Sequence, residues 1–294
     1  MARMHISITG DLGSGKSTVA KALSQELGLE YLSTGGLQRQ LAANMGMNTL
    51  EFNRYTNENL NVDDFIDQRL RDINNAAELY ILDSRLAWHF VTSSFKVYLT
   101  AADEVAAARV LIDTSRVGEP LAADVASKML EQRERRTLED NRFAENYGIK
   151  PSIYLDFDAV IDTSTATVEQ VKDTIKKLYF AKTNAQPQLP HWLSPKRLLP
   201  SSVQCEVAYL PAFLQHQVIC MYIDSELFII NEQEKVRHLL LNNAPLVPLQ
   251  VVNESNEVLP YDSLKAAVIK SYSVPYLKKW EADNGFEFYH YPKK

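Results

Sequence analysis

The chain has 294 residues, enough for two domains, and its 46% hydrophobic content supplies buried cores and excludes global disorder. Thirty-one basic against 37 acidic residues give a net charge of −6, balanced along the chain, which argues against a general nucleic-acid or membrane-surface binder. No apolar run reaches the ~20 residues of a membrane-spanning helix, and Met1–Thr9 lacks the apolar stretch and cleavage site of a signal peptide, so a cytoplasmic location is expected.

Strand and helix patterns alternate through the first 180 residues. His5–Thr9 reads as a strand, and the next helix runs from Ser17 to Leu27, with Val19, Leu23 and Leu27 at four-residue spacing and Gly28 as its stop. Further strands are expected at Leu79–Leu82, Phe95–Leu99 and Ala159–Asp162, and helices at Ala101–Ile112 and Val125–Asn146. Thr167 followed by Gln170 forms a capping box that opens another helix. This alternation implies an α/β domain with a parallel sheet covered by helices on both faces. Residues 183–202 hold Pro187, Pro190, Pro195 and Pro200 and read as a linker or as a strap packed on the first domain. Residues 203–294 then form a smaller mixed α+β domain, and the first domain ends at residue 182. Two cysteines, Cys205 and Cys220, fit a reducing compartment, where pairing is not required, and the six histidines show no zinc spacing.

The sharpest motif is Gly10-Asp11-Leu12-Gly13-Ser14-Gly15-Lys16-Ser17-Thr18, a match to G-x-x-x-x-G-K-[ST] with an added glycine at 13. Glycines allow a tight turn whose N–H groups face an anion, Lys16 offers a point charge to the β- and γ-phosphates, and Ser17 offers a hydroxyl to Mg²⁺. A chance match arises in about one chain in a hundred of this length. Its place between a strand and a helix is what phosphate binding demands, since the helix directs its positive end at the same anion.

Three more clusters bear on the chemistry. Ser33-Thr34-Gly35-Gly36-Leu37-Gln38-Arg39 follows the second strand, Asp83-Ser84-Arg85-Leu86-Ala87 ends the strand at 79–82, and Arg133, Arg135, Arg136 and Arg142 lie on one helix. Singly, they read as a Gly-Gly turn, a surface turn and a solvated helix face with pairs such as Glu131–Arg135. Together they put arginines and a carboxylate at strand ends, where α/β sheets bind ligands and where phosphoryl transfer needs guanidinium groups.

With these residues in view, 4–180 resemble the cytidylate kinases, most closely the short archaeal type, within the nucleoside monophosphate kinases. The likeness runs through Ile6–Ala20, Leu32–Arg39, Gly46-Met47, Leu50-Glu51-Phe52, Val62–Asp67, Asp83–Ala87, Arg142–Ile149 and Asp158–Ser164, in the family's order. It implies that Gly10, Gly13, Ser14, Gly15, Lys16, Ser17 and Thr18 bind ATP. Thr163 then falls, with Ser164, in the adenine-side loop, and Ser17 and Asp83 serve Mg²⁺. Ser33, Gly35, Arg39, Asp67 and Arg85 would line the acceptor site, Arg39 and Arg85 gripping its phosphate. Arg135 and Arg142 belong to the closing lid, and Lys16, Arg39, Arg85, Arg135 and Arg142 form the catalytic set. CMP or dCMP is the expected acceptor. The chain departs from the family at Gly36 and Gln38, where acidic and aromatic residues are usual, and at Asp140-Asn141, where the lid is usually richer in arginine. Another small-molecule acceptor, and a non-catalytic ATP-binding sensor, are the alternatives.

The C-terminal region is less informative. Strand Leu227–Ile230, helix Asn231–Leu241 and strand Pro245–Val252 resemble the ParB/sulfiredoxin-like fold. That fold's phosphate-binding residues are replaced here by Asn231-Glu232-Gln233-Glu234-Lys235, which implies recognition or assembly instead of catalysis, through a protein partner or self-association. The aromatic tail from Tyr272 to Tyr291 reads as core filling.

Overall fold

A computed structural model describes residues 3–47, 51–52, 55, 61–113, 124–186, 189–203, 214–253 and 260–291. Leu50, Cys205 and Pro187 lie outside the described residues, as do the side chains of Val62 and Asp63. The chain divides into two compact units, residues 1–189 and 190–294.

In the first unit five strands, β1 (Ile6–Gly10), β2 (Glu30–Ser33), β3 (Tyr80–Asp83), β4 (Phe95–Thr100) and β5 (Ala159–Asp162), lie in the order β2-β3-β1-β4-β5, all parallel. Every residue of β1 and β5 is buried, as in a sheet covered on both faces. The path leaves β1 toward β2 and then returns across the sheet to β4 and β5. With right-handed crossovers, this reversal puts the helix after β1 (α1, Lys16–Leu27) on the opposite face from the later crossovers. The last helix of the unit, Val168–Thr183, packs on α1, and its capping box is present on both sides, Gln170 N–H to Thr167 Oγ1 at 3.2 Å and Thr167 N–H to Gln170 Oε1 at 2.9 Å. The strand order reverses at β1, so the loop after β1 opens at the edge where such sheets bind ligands.

The second unit holds β6 (His191–Leu193), β7 (Leu198–Leu199), β8 (Val218–Ile223), β9 (Glu226–Asn231) and β10 (Val247–Val252) in the order β6-β10-β8-β9-β7. β8 and β9 form a hairpin through Asp224 and Ser225, both at positive φ as a two-residue turn requires. The linker expected at 183–202 is corrected here, because residues 191–199 supply two strands of this unit. Pro190, Pro195 and Pro200 flank the apolar stretches without interrupting them, and Pro195 starts a single 3₁₀ turn capped by Ser194. Helix Gln233–Leu241 follows β9, and β10 pairs in parallel with β8. Tyr272, Tyr276, Trp280, Phe286, Phe288 and Tyr291 pack with Phe228, Ile230 and Leu277, so the tail fills a core.

Candidate active site

The loop between β1 and α1 is held by contacts that admit no side chain at two positions. A Cβ on Gly10 would sit 2.0 Å from the Leu99 carbonyl oxygen, and one on Gly13 would sit 2.3 Å from that of Ala106. Gly15 caps α1 at φ 80°, with no side-chain hydrogen bond to the helix and no acidic residue in the first turn. The first N–H groups of α1 therefore keep a bare, positive helix end, the feature that attracts phosphate. Ser14 is buried, and its hydroxyl and N–H donate to the Asp11 carbonyl at 2.8 and 3.3 Å, which fixes the loop's curve.

Lys16 folds across the loop and donates to the carbonyls of Gly10 at 2.9 Å and Asp11 at 2.8 Å. Burial, followed by the repulsion of Arg85, pushes its ammonium down to about 7, against the pull of Asp83, Asp11 and Glu139. A nearby anion would favour the charged form. Ser17 Oγ donates to Asp83 Oδ2 at 2.6 Å, and the Tyr31 hydroxyl donates to the same oxygen at 3.0 Å. Burial and Asp83 push Tyr31 up to about 12, so it remains a donor. Asp83 stands at the end of β3, nearly buried, which sets aside the surface-turn reading.

One cleft of about 250 Å³ gathers residues from far-apart stretches of the unit. Lys16, Ser17, Ser33, Gly35, Arg39, Asp67, Asp83, Arg85, Arg135 and Arg142 all line it. Ser33 caps the helix Thr34–Asn44 by accepting the Gly36 N–H at 3.2 Å, so Gly35 and Gly36 lie in a helical first turn and not in the Gly-Gly turn. Each glycine costs such a helix about 1 kcal/mol, and a Cβ at Gly35 would meet nothing closer than Arg39 at 3.6 Å. Neither helix propensity nor internal packing asks for glycine at 35, which lines the cleft. Arg85 is steadied through its carbonyl, which accepts from Trp88 Nε1 at 3.0 Å.

Thr163 stands apart from the cleft lining. It is buried, its hydroxyl donates to the Thr100 carbonyl at 3.1 Å, and Arg109 binds both its hydroxyl and its carbonyl, at 3.1 and 2.7 Å. Arg109 also reaches the Gly13 carbonyl at 3.5 Å and so ties that loop to the phosphate loop. Sequence reasoning missed Arg109, whose only signal is its place one helix after β4.

The helix Val125–Tyr147 carries Arg135 and Arg142 to the cleft, but its firmest link to the phosphate loop is Arg136. Arg136 ion-pairs with Asp11 and donates to the Tyr98 hydroxyl at 3.0 Å. Asp11 also accepts from Tyr98 at 2.7 Å and from Thr100 Oγ1 at 2.7 Å. Burial opposes the charge on Arg136, yet Asp11, Tyr98 and Asp140 outweigh it and hold the guanidinium charged, while burial and Asp11 raise Tyr98. The expected Glu131–Arg135 pair is replaced by Lys128–Glu131 at 2.8 Å and Arg135–Glu139 at 3.3 Å. Glu139, absent from the expected residues, also reaches Arg85 at 3.2 Å.

Hard oxygen donors at Ser17 and Asp83, next to a bare helix end, suit a Mg²⁺ that arrives with a triphosphate. Among the described residues no group of three or more His, Cys, Asp or Glu forms a self-sufficient metal cage. No helix among them is long and apolar enough to cross a membrane.

A strand–glycine loop–helix phosphate cradle on a five-stranded parallel sheet, facing an arginine-lined cleft, defines a P-loop kinase domain. A sequence profile described as an AAA domain matches residues 6–120. The cytidylate kinase of Methanosphaera stadtmanae is 32% identical over 174 residues, 59% of this chain and 96% of that enzyme. The chain belongs to the cytidylate kinase family of P-loop kinases over its first unit. An S-adenosylmethionine-dependent nucleotide dehydratase of Lacinutrix mariniflava is 32% identical over 189 residues, which are 64% of this chain, and the chain spans 38% of that protein's length. Among solved structures, a shikimate kinase of Bacteroides thetaiotaomicron has 14% identity and a TM-score of 0.43 over 62% of this chain and 99% of that one.

Proposed function

We propose that the first unit transfers the γ-phosphoryl group of ATP to a nucleoside monophosphate, with CMP or dCMP the preferred acceptor. The observation that carries this reading is the single cleft in which Lys16 and the Ser17–Asp83 pair face Arg39, Arg85, Arg135 and Arg142. Five cationic side chains around one opening suit the phosphate oxygens of a triphosphate and a monophosphate held end to end. The names of the relatives favour a nucleotide: one is a cytidylate kinase and another a nucleotide dehydratase.

In this reading Lys16 leaves the Gly10 and Asp11 carbonyls for the β- and γ-phosphates, and the N–H groups of the loop and of the start of α1 enclose the β-phosphate. Bound Mg²⁺, held through Ser17 and Asp83, supplies neutralisation of charge on the phosphate oxygens. Arg39 and Arg85 hold the acceptor's phosphate, and Asp67, buried in the wall of the same cleft, meets its base. An oxygen of that phosphate bonds to Pγ in line as the bond from Pγ to the bridging oxygen breaks and ADP leaves. Arg135 and Arg142 approach from the long helix and neutralise the equatorial oxygens, and Thr163 acts through Arg109 on the phosphate loop.

An ADP-release assay against CMP, dCMP, UMP, AMP and non-nucleotide acceptors tests the reading. CMP or dCMP should give the highest kcat/KM. A non-nucleotide acceptor turned over faster than every monophosphate would replace the acceptor assignment while leaving the kinase class in place.

A further inference from the structure

Among the described residues, three carboxylates line the cleft. Asp83 is committed to Ser17 and Tyr31, and Asp67 lies buried in the wall. Glu139 comes instead from the long helix and points its two oxygens at two different arginines, Oε2 to Arg85 Nη1 at 3.2 Å and Oε1 to Arg135 Nε at 3.3 Å. Its side chain is 19% exposed, against 46% for Arg135, so the contact is more than a solvated pair one helical turn apart. Arg85 is 54 positions away in sequence and follows a different element, β3.

A carboxylate forked between two guanidinium groups offers what a phosphate offers them, two anionic acceptor oxygens. Arg85 and Arg135 are also the groups that the proposed activity assigns to two phosphates, one on each side of the transfer. We propose that Glu139 is a resident stand-in for phosphate: it neutralises Arg85 and Arg135 while the cleft is empty, yields them to the substrate's phosphate, and competes for them again when product must leave. The proposal rests on the phosphate-binding reading of the cleft and adds to it the residue that sets phosphate affinity.

The physical need is plain. Without Glu139, the two arginines would face Lys16, Arg39 and Arg142 across one cleft with fewer counter-charges, and any multivalent anion would be held strongly. A product that carries one more phosphate than the substrate would be held most strongly of all. A competing carboxylate lowers the affinity of both and shortens the residence of the product.

The test uses the full chain and its Glu139→Gln variant, titrated with CMP, with cytidine and with inorganic phosphate, and assayed for kcat and KM. The account expects the variant to bind CMP and phosphate about tenfold tighter, the scale of one like charge removed from a partly buried site. Cytidine binding should not change, and kcat and KM should fall together as product release slows. Glu139→Asp keeps the charge and should remain closer to the native protein than to the glutamine variant. Should Glu139→Gln not fold, Glu139→Ala carries the same expectation. Unchanged or weaker phosphate binding in the variant, or an equal shift for cytidine, overturns the proposal, as does a chain that binds no phosphate in either form. Inorganic phosphate separates the two claims: if no monophosphate is ever turned over, the proposed activity fails, while tightening of phosphate in the variant still supports the role of Glu139.

Discussion

The two units place their polar residues toward different ends. In the first, Lys16, Arg39, Arg85, Arg135 and Arg142 converge on an opening, and nine of the ten glycines in the chain lie in this unit, three of them around the phosphate loop. In the second, the buried Glu281 and Asn284 are answered within the unit. Glu281 accepts from the Phe288 N–H at 2.7 Å and the Tyr291 hydroxyl at 2.5 Å, and Asn284 accepts from Arg237 at 2.6 Å. A cleft of converging cations has the marks of a site, and hydrogen-bonded Glu281 and Asn284 beside aromatic rings have the marks of a core. That contrast supports the proposed catalysis in the first unit, while binding a protein partner or a second copy of this chain is the role proposed for the second.

The contrast can be broken from either side. Lys16→Ala removes the charge that faces the triphosphate and should lower turnover about a thousandfold, with the melting temperature no lower than the native value. Retained turnover would remove the phosphate loop from the chemistry. Phe228→Ala, at a residue 1% exposed that packs 4.8 Å from the Tyr272 ring, should cost about 3–5 kcal/mol in urea unfolding and leave ATP affinity unchanged in the folded protein. A change in ATP affinity without loss of stability would give the second unit a part in nucleotide binding.

Proton linkage gives a smaller and sharper reading. Burial and Arg85 hold Lys16 at about 7, below its ordinary value, and in the proposed reading phosphate bound beside it raises it again. Above pH 7, binding therefore takes up a proton, and affinity falls with rising pH by up to tenfold per unit. Calorimetry at pH 8 to 9 in buffers of different ionisation enthalpy should show uptake approaching one proton, and Lys16→Ala should abolish it. The smallest effect is expected at Gly285→Ala, where φ is 67° and no atom lies within 4 Å of the added Cβ. Only the left-handed backbone is strained there, for about 1 kcal/mol, whereas Gly10→Ala adds a collision with Leu99 and should cost several times more.

Much of the first unit was legible in the sequence because its signals are local. β1, the glycine loop and α1 are contiguous, and the Thr167–Gln170 box is a four-residue motif. The cleft was legible in part from the arginines and the carboxylate at strand ends, and its remaining residues, spread from Leu12 to Tyr147, only through the family resemblance. Arg109, Glu139 and the pairing of Arg136 with Asp11 escaped because the partners, Thr163, Arg85 and Asp11, are 54 to 125 positions away and no spacing rule connects them. β6 and β7 escaped for the opposite reason. Three and two residues long, they are too short for a periodicity to register, and the prolines around them carry a stronger signal than they do.

The most direct measurement follows the nucleotides themselves. Incubation of the full chain with ATP, Mg²⁺ and CMP, resolved by ion-exchange chromatography, should yield CDP and ADP in equal amounts, and neither with Lys16→Ala. ATP bound but unconsumed in the presence of every monophosphate, or ADP formed with no phosphorylated acceptor, would contradict the account.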